Sequence, residues 1–271
     1  MNMDDLTARG LVLLGCGKMG SAMLQGWLGQ GLPATSVWVT DPHPSDWLKG
    51  LKGLHLNVPL PADPAIALVA VKPQMMGDAL PALAALGNGT TLFLSVAAGT
   101  PIRAFENALG GDTPIIRAMP NTPAAVARGI TALIGNSRAG EGHMALAEAL
   151  LSAVGQTVRL ETEAQMDAVT AVSGSGPAYV FHLIETLAAA GEDQGLSPEL
   201  AMRLAKATVA GAGHLAENAA QDPTQLRVNV TSPAGTTAAA LEVLMDAQTG
   251  FGPLLKRAVQ AAADRSRELG K

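Results

Sequence analysis

Up to about Glu161, short apolar runs alternate with longer stretches of helical periodicity. "LVLLG" (Leu11–Gly15) ends in glycine, and the "KMGSAMLQGWLGQG" behind it reads as a helix stopping at Gly29–Gly31. "SVWVTD", "AIALVAVKP", "TTLFLSVAAG", "PIIRAMP", "ITALIG" and "QTVRLE" are further strand candidates. Several are unbroken apolar runs rather than alternations, the mark of strands covered on both faces. Strands alternating with helices predict an α/β fold, a Rossmann-like doubly wound sheet.

Beyond Glu161 no strand pattern remains. "AYVFHLIETLAAAGEDQ", "TTAAALEVLMDAQ" and "GPLLKRAVQAAADRSREL" carry helical spacing. So does "SPELAMRLAKATVAGAGHLAE", with Ser197 as N-cap, Pro198 at the first position and Glu199 in the first turn. Two domains are expected: a dinucleotide-binding domain over 1–161 and an all-helical domain over 162–271. Neither an internal repeat nor a low-complexity linker is visible.

Composition adds to this picture. Hydrophobic residues make up 48% of the 271, yet aromatics only 3%. Helices built from such small side chains approach each other closely. A helical domain so poor in large side chains buries little surface alone, which points to dimerisation through it. The net charge of −5, without any basic block, excludes the electrostatic footprint of a nucleic-acid binder. Cys16 is the single cysteine, so no intramolecular disulfide forms, as suits a reducing compartment. The N-terminus lacks a secretory pattern, and no apolar run approaches the roughly 18–20 residues of a membrane span. A cytoplasmic protein is expected.

"GCGKMG" places Gly15, Cys16, Gly17, Lys18, Met19 and Gly20 between the first strand and the first long helix. This is the G-x-G-x-x-G pattern. Gly15 allows the tight turn, Gly17 admits a pyrophosphate against the backbone, and Gly20 lets the helix pack on the sheet. The exposed N–H groups and the helix dipole then favour an anion. Cys16, with no histidine near it, reads as a small packing residue. Asp41 ends the second strand, where an acid bonds a ribose 2′-hydroxyl and repels a 2′-phosphate. Two readings of Asp41 stay open: an acceptor favouring NADH, or the start of a turn before Pro42. Ala70, Val71, Lys72 and Pro73 follow another strand, and Lys72 either contacts the cofactor or caps the sheet edge. Ala97 and Ala98, in "SVAAGT", let a nicotinamide ring lie against the backbone. Asn121, in "RAMPNTPAA", is a polar contact or a turn residue.

"GCGKMG", "AVKPQ", "SVAAG", "RAMPNTPA", "AVSGSGPAYVF" and "VTSPAGTT" occur in the order and near the spacing of the pyrroline-5-carboxylate reductase family. The resemblance spans nearly the whole chain, and its last two motifs are specific. It implies reduction of the C=N bond of 1-pyrroline-5-carboxylate by NADPH or NADH to L-proline, the last step of proline biosynthesis. It also implies a homodimer interlocked through the C-terminal helices, or a larger ring of dimers. By this resemblance Ser173, Gly174, Ser175 and Gly176 lie at the substrate. Ser232, Gly235 and Thr236 hold its carboxylate, and Thr237 bonds the ring nitrogen and is the catalytic residue. The family usually has Gly-Gly after the Ser-Pro; Ala234 replaces the first glycine.

Other chemistries find less support. The five histidines are scattered without metal-ligand spacing, and no G-x-S-x-G elbow occurs. His182 with Glu185 three residues on reads as helix decoration. A 3-hydroxyacid-type dehydrogenase needs a Lys or His as acid/base in the helical domain. Lys206 is the one lysine in the middle of it, and its helix suits a solvated face. A non-catalytic nucleotide-binding protein is the remaining alternative.

Overall fold

The computed structural model describes residues 3–270. The order is α1 (Met3–Arg9), β1 (Leu11–Leu14), α2 (Lys18–Gly29), β2 (Val37–Thr40), α3 (Asp46–Gly50), β3 (His55–Leu56) and β4 (Ile66–Val69). Then come α4 (Met76–Ala79), β5 (Leu92–Ser95), α5 (Ile102–Leu109), β6 (Ile115–Met119), β7 (Gly129–Gly135), α6 (Glu141–Leu151) and β8 (Gly155–Arg159). Helices follow from there: α7 (Met166–Val169), α8 (Gly176–Asp193), α9 (Pro198–Asn218), α10 (Pro223–Asn229), α11 (Thr236–Leu244) and α12 (Phe251–Leu269).

The eight strands form one sheet in the order β3-β2-β1-β4-β5-β6-β7-β8. All neighbours are parallel except β6 and β7. Residues 120–128 join that pair, too few for the dozen or more that a parallel crossover needs. Alternate residues face opposite cores. Leu11, Leu13, Ile66 and Leu68 pack with Met23, Leu24 and Trp27 of α2 and with Leu146 and Leu150 of α6. Val12, Leu14, Ala67 and Val69 pack with Leu80, Leu83, Ile102, Phe105 and Leu109. This two-sided burial is what the unbroken apolar runs predict. Among the largest buried side chains is Trp27, whose Nε1–H donates to the Leu150 carbonyl (2.8 Å). At the exposed edge, Arg159 of β8 forks onto Glu141 (2.6 Å) and Glu148 (2.7 Å) of α6. Its hydrogen bonds hold both carboxyls below their usual range.

Three short features are too brief for a periodic sequence pattern. Strand β3 has two residues and is held by a stack of His55 on Trp38, ring centroids 4.2 Å apart. Helix α10 is one of the elements missing from the sequence reading, although Asp222 caps it by accepting from the Gln225 N–H (2.9 Å), with Pro223 behind it. Residues Thr170–Gly174 form a π turn between α7 and α8.

The chain divides into two compact units, Met1–Gly174 with Ala263–Lys271, and Ser175–Ala262. The second begins later than the boundary expected at 161/162, because Glu163, Asp167 and Ser173 hydrogen-bond to the first unit. Within the second unit Ala188, Ala201 and Ala205 form the buried cluster. Helices α8 and α9 come close enough that a Cβ on Gly191 would stand 3.3 Å from the Ala201 methyl. Phe181, Leu204, Leu215, Val243 and Met245 stay exposed.

Replacing Trp27 by Ala is expected to cost about 3–5 kcal/mol by cavity formation and loss of the bond to Leu150. Urea unfolding checks this: the midpoint should fall while the slope holds.

Candidate functional site

The β1–α2 turn is built as its glycines require. Gly15 has φ +86°, a left-handed conformation that disfavours a side chain. A Cβ on Gly20 would collide with the Gly15 carbonyl, so α2 seats directly on the turn. A Cβ on Gly17 would meet nothing within 4 Å: the backbone there faces open space. Gly17 is the N-cap of α2 and supplies no side-chain cap, which leaves the first-turn N–H groups to an anion. Gly17 and Lys18 are exposed and Met19 is half-buried. These features fit the pyrophosphate of a dinucleotide.

Cys16 is buried in this turn and donates its backbone N–H to Asp41 Oδ2 (2.7 Å). Asp41 Oδ1 accepts from the His43 N–H (2.7 Å). Asn57 brackets the Asp41 backbone, accepting from its N–H and donating to its carbonyl, both at 2.9 Å. So Asp41 does start a turn, and it also ties the end of β2 to the glycine loop. A carboxylate offers about four lone-pair sites, so two remain after these bonds. Burial first, and the Asp41 charge second, push the Cys16 thiol up to about 11. Asn57 was not among the sequence candidates; its left-handed backbone (φ +53°) is one that Asn tolerates.

Farther along the same strand ends, Ala70 and Val71 follow β4 half-buried, Lys72 is exposed, and Pro73 opens a 3₁₀ turn. After β5 the Ala97 methyl packs into the core while Ala98 is half-buried. Asn121 donates through Nδ2 to Ser173 Oγ (3.3 Å) and accepts from the Ile130 N–H (3.0 Å). Ser173 and Gly174 are part of the π turn, and Ser175 follows it as the N-cap of α8. The turn runs almost continuously from α7 into α8. A π turn inside helical structure is frequent at functional sites.

In the second unit, Ser232–Gly235 leads into α11 with Gly235 as N-cap. No side chain caps this helix, and backbone pairing starts with the Ala239 N–H donating to the Gly235 carbonyl (3.2 Å). These hydroxyls therefore do not cap α11. Ser232 and Thr236 are exposed, Thr237 half-buried. Ala234 has φ +57°. Arg117 was passed over in the sequence, though one charge inside the apolar "PIIRAMP" was a usable signal. It is buried and pairs with Glu163 (2.8 Å).

A parallel sheet with this glycine turn at its first strand, joined to a helical unit, defines the class of nicotinamide-nucleotide oxidoreductases. The family described as pyrroline-5-carboxylate reductase dimerisation matches residues 163–269. One described as NADP oxidoreductase, coenzyme F420-dependent, matches residues 11–99. A pyrroline-5-carboxylate reductase of Pseudomonas aeruginosa is 39% identical, over 96% of this chain and 97% of its own length. The solved pyrroline-5-carboxylate reductase of Coxiella burnetii superposes with a TM-score of 0.89 at 33% identity, covering 97% of this chain and 99% of that one. The pyrroline carboxylate reductase of Plasmodium falciparum, solved with NADP bound, gives 0.83 at 29% identity over 97% and 98%. This chain belongs to the pyrroline-5-carboxylate reductase family.

Two outcomes follow from these geometries. Cys16, with its thiol raised from 9.0 to about 11, carries little thiolate at pH 8. Iodoacetamide should label it far more slowly in the native protein than in urea, with the native rate climbing only as pH nears 11. Ala234→Gly relieves a left-handed alanine and is expected to stabilise the protein by about 0.5–1 kcal/mol net of the added chain entropy. Chemical denaturation reads that gain.

Proposed function

We propose that this protein reduces 1-pyrroline-5-carboxylate to L-proline with NADH or NADPH. The observation that carries the reading is the loop Ser232–Thr237: free of acid and base, rich in hydroxyls, and set at a helix N-terminus that no side chain caps. Such an end favours an anion by about 0.3–1 kcal/mol through the dipole alone. Ser232, Gly235 and Thr236 hold the substrate carboxylate. Thr237 holds the ring nitrogen through its hydroxyl as the imine becomes an amine. Ser173, Gly174, Ser175 and Gly176 line the substrate on the other segment.

The reduced nicotinamide supplies the hydride, so the protein's work is orientation and electrostatics. Gly15, Cys16, Gly17, Lys18, Met19 and Gly20 bind the pyrophosphate. Ala70, Val71, Lys72, Pro73, Ala97, Ala98 and Asn121 follow the cofactor toward its reactive ring. Asp41 accepts from a ribose hydroxyl and places a negative charge where NADPH carries its 2′-phosphate, which favours NADH. A 3-hydroxyacid-type reaction lacks its acid/base: Lys206 is exposed on α9 and His182 pairs on the surface with Glu185. The protein acts in the cytoplasm as a homodimer through its C-terminal helices, or as a larger ring of such dimers. Among the described residues no helix is long and apolar enough to cross a membrane.

The test is loss of reduced-nicotinamide absorbance with 1-pyrroline-5-carboxylate, run with NADH and NADPH in parallel. Turnover favouring NADH is expected. Thr237→Ala should lower kcat/KM by about 1–3 kcal/mol, the scale of a lost hydrogen bond to a charged group. Absence of turnover in folded protein that binds nucleotide would sink the reading.

A further inference from the structure

Residues 162–174 carry Ser173 and Gly174, and side-chain hydrogen bonds tie this segment to defined places in the rest of the first unit. Glu163 Oε1 accepts from Arg117 Nη1 (2.8 Å) and from the Ile102 N–H (2.8 Å). Asp167 Oδ1 accepts from Ser266 Oγ (2.6 Å). Ser173 Oγ accepts from Asn121 Nδ2 (3.3 Å). Arg117 lies in β6 and Asn121 just past its end, so one strand pins both ends of the segment. Ile102 opens α5, directly behind the small-residue loop Ser95–Thr100. Thr162 and Gln165 add a capping box that fixes how the segment enters its first turn.

An arginine inside an otherwise apolar strand is costly. Arg117 is 6% exposed, flanked by Ile115, Ile116 and Ala118. An apolar residue of similar volume serves stability as well as such a pair, or better. What the pair adds is direction, because a single carboxylate oxygen joins β6, the head of α5 and the start of the helical segment.

We propose that Arg117 and Glu163 are a positioning pair, which sets the π turn carrying Ser173 and Gly174 against the β5–α5 loop. This rests on the reading above that the first of these segments holds substrate and the second the nicotinamide. Neither residue touches the reacting atoms. They act through the turn, keeping the imine carbon in register for hydride, where an error near 1 Å costs about a hundredfold.

Glu163→Gln tests this, keeping the side chain's shape and an acceptor for the Ile102 N–H while removing the charge opposite Arg117. The kcat/KM for 1-pyrroline-5-carboxylate is expected to fall about tenfold. The Kd of L-proline, measured by calorimetry, should weaken by about the same factor. The Kd of NADH should move by less than about twofold, since the glycine turn and Asp41 are untouched. Arg159→Ala is the comparison: it breaks the exposed ion cluster and should lower the unfolding temperature while leaving all three constants in place. If Glu163→Gln fails to fold, Arg117→Lys takes its place, keeping the charge and losing the planar fork, and the same outcomes decide. Unchanged kcat/KM and proline affinity in folded variant overturn the proposal. So does equal weakening of NADH and proline, which signals general loosening. A wild-type protein that neither reduces the imine nor binds L-proline overturns the functional reading, and the pair's role falls with it.

Discussion

Successive residues of the central strands point into two different cores, Leu11 and Leu13 to one and Val12 and Leu14 to the other. Helices must therefore cover both faces, and each parallel strand must hand over to a crossover before the next begins. That requirement leaves the carboxyl ends of β1, β2, β4, β5 and β6 along one edge with their following loops. The glycine turn, Asp41, the Ala70–Lys72 segment, the Ala97–Ala98 loop and Asn121 all occupy those loops. Ligands of open α/β sheets bind at such ends. The gathering of these residues is thus a consequence of burying both faces.

The helical unit follows the opposite logic. Its buried cluster consists of alanines, and side chains as large as Phe181 and Met245 are exposed. Removing apolar area from water stabilises by about 25 cal/mol per Å², so alanines alone stabilise it little. The family match over 163–269 is described as a dimerisation region, and exposed apolar helices suit that description. Low aromatic content and the need for a second copy are two sides of one choice: small side chains give tight α8–α9 contact but a thin core.

Much of this was legible in the sequence, because the strong signals were periodic or conformational. Apolar runs, several of them unbroken, marked seven strands, and Ser197-Pro198 marked the start of α9, where the Ser197 hydroxyl does accept from the Leu200 N–H (3.3 Å). Within "GCGKMG" a Cβ would be strained on Gly15 and would collide on Gly20, while Gly17 faces open space. Features fixed by tertiary contact were not legible. β3 has too few residues for any period and exists through the Trp38–His55 stack and its pairing with β2. The reversal of β7 depends on a connection length, not on a pattern. The compact boundary falls after Gly174, although residues 162–174 are helical in pattern, because three side chains tie them to the first unit. Nor does the sequence show that α11 takes Gly235 as its N-cap and no side-chain cap from Ser232 or Thr236.

Asp41 shows how one residue joins fold and chemistry. Its position at the end of β2 suggested either a ribose acceptor or a turn former, as if these were exclusive. The carboxylate bonds the His43 N–H, which makes the turn, and the Cys16 N–H, which holds the glycine loop to β2. Burial first, and the nearby Asp41 charge second, raise the Cys16 thiol inside that loop. The Asp41 charge beside the loop is offset by the two N–H groups that donate to it. The same carboxylate thus serves the turn and the glycine loop at once. A residue replacing Asp41 must therefore supply an acceptor for both the Cys16 N–H and the His43 N–H if the turn and the glycine loop are to keep their shape.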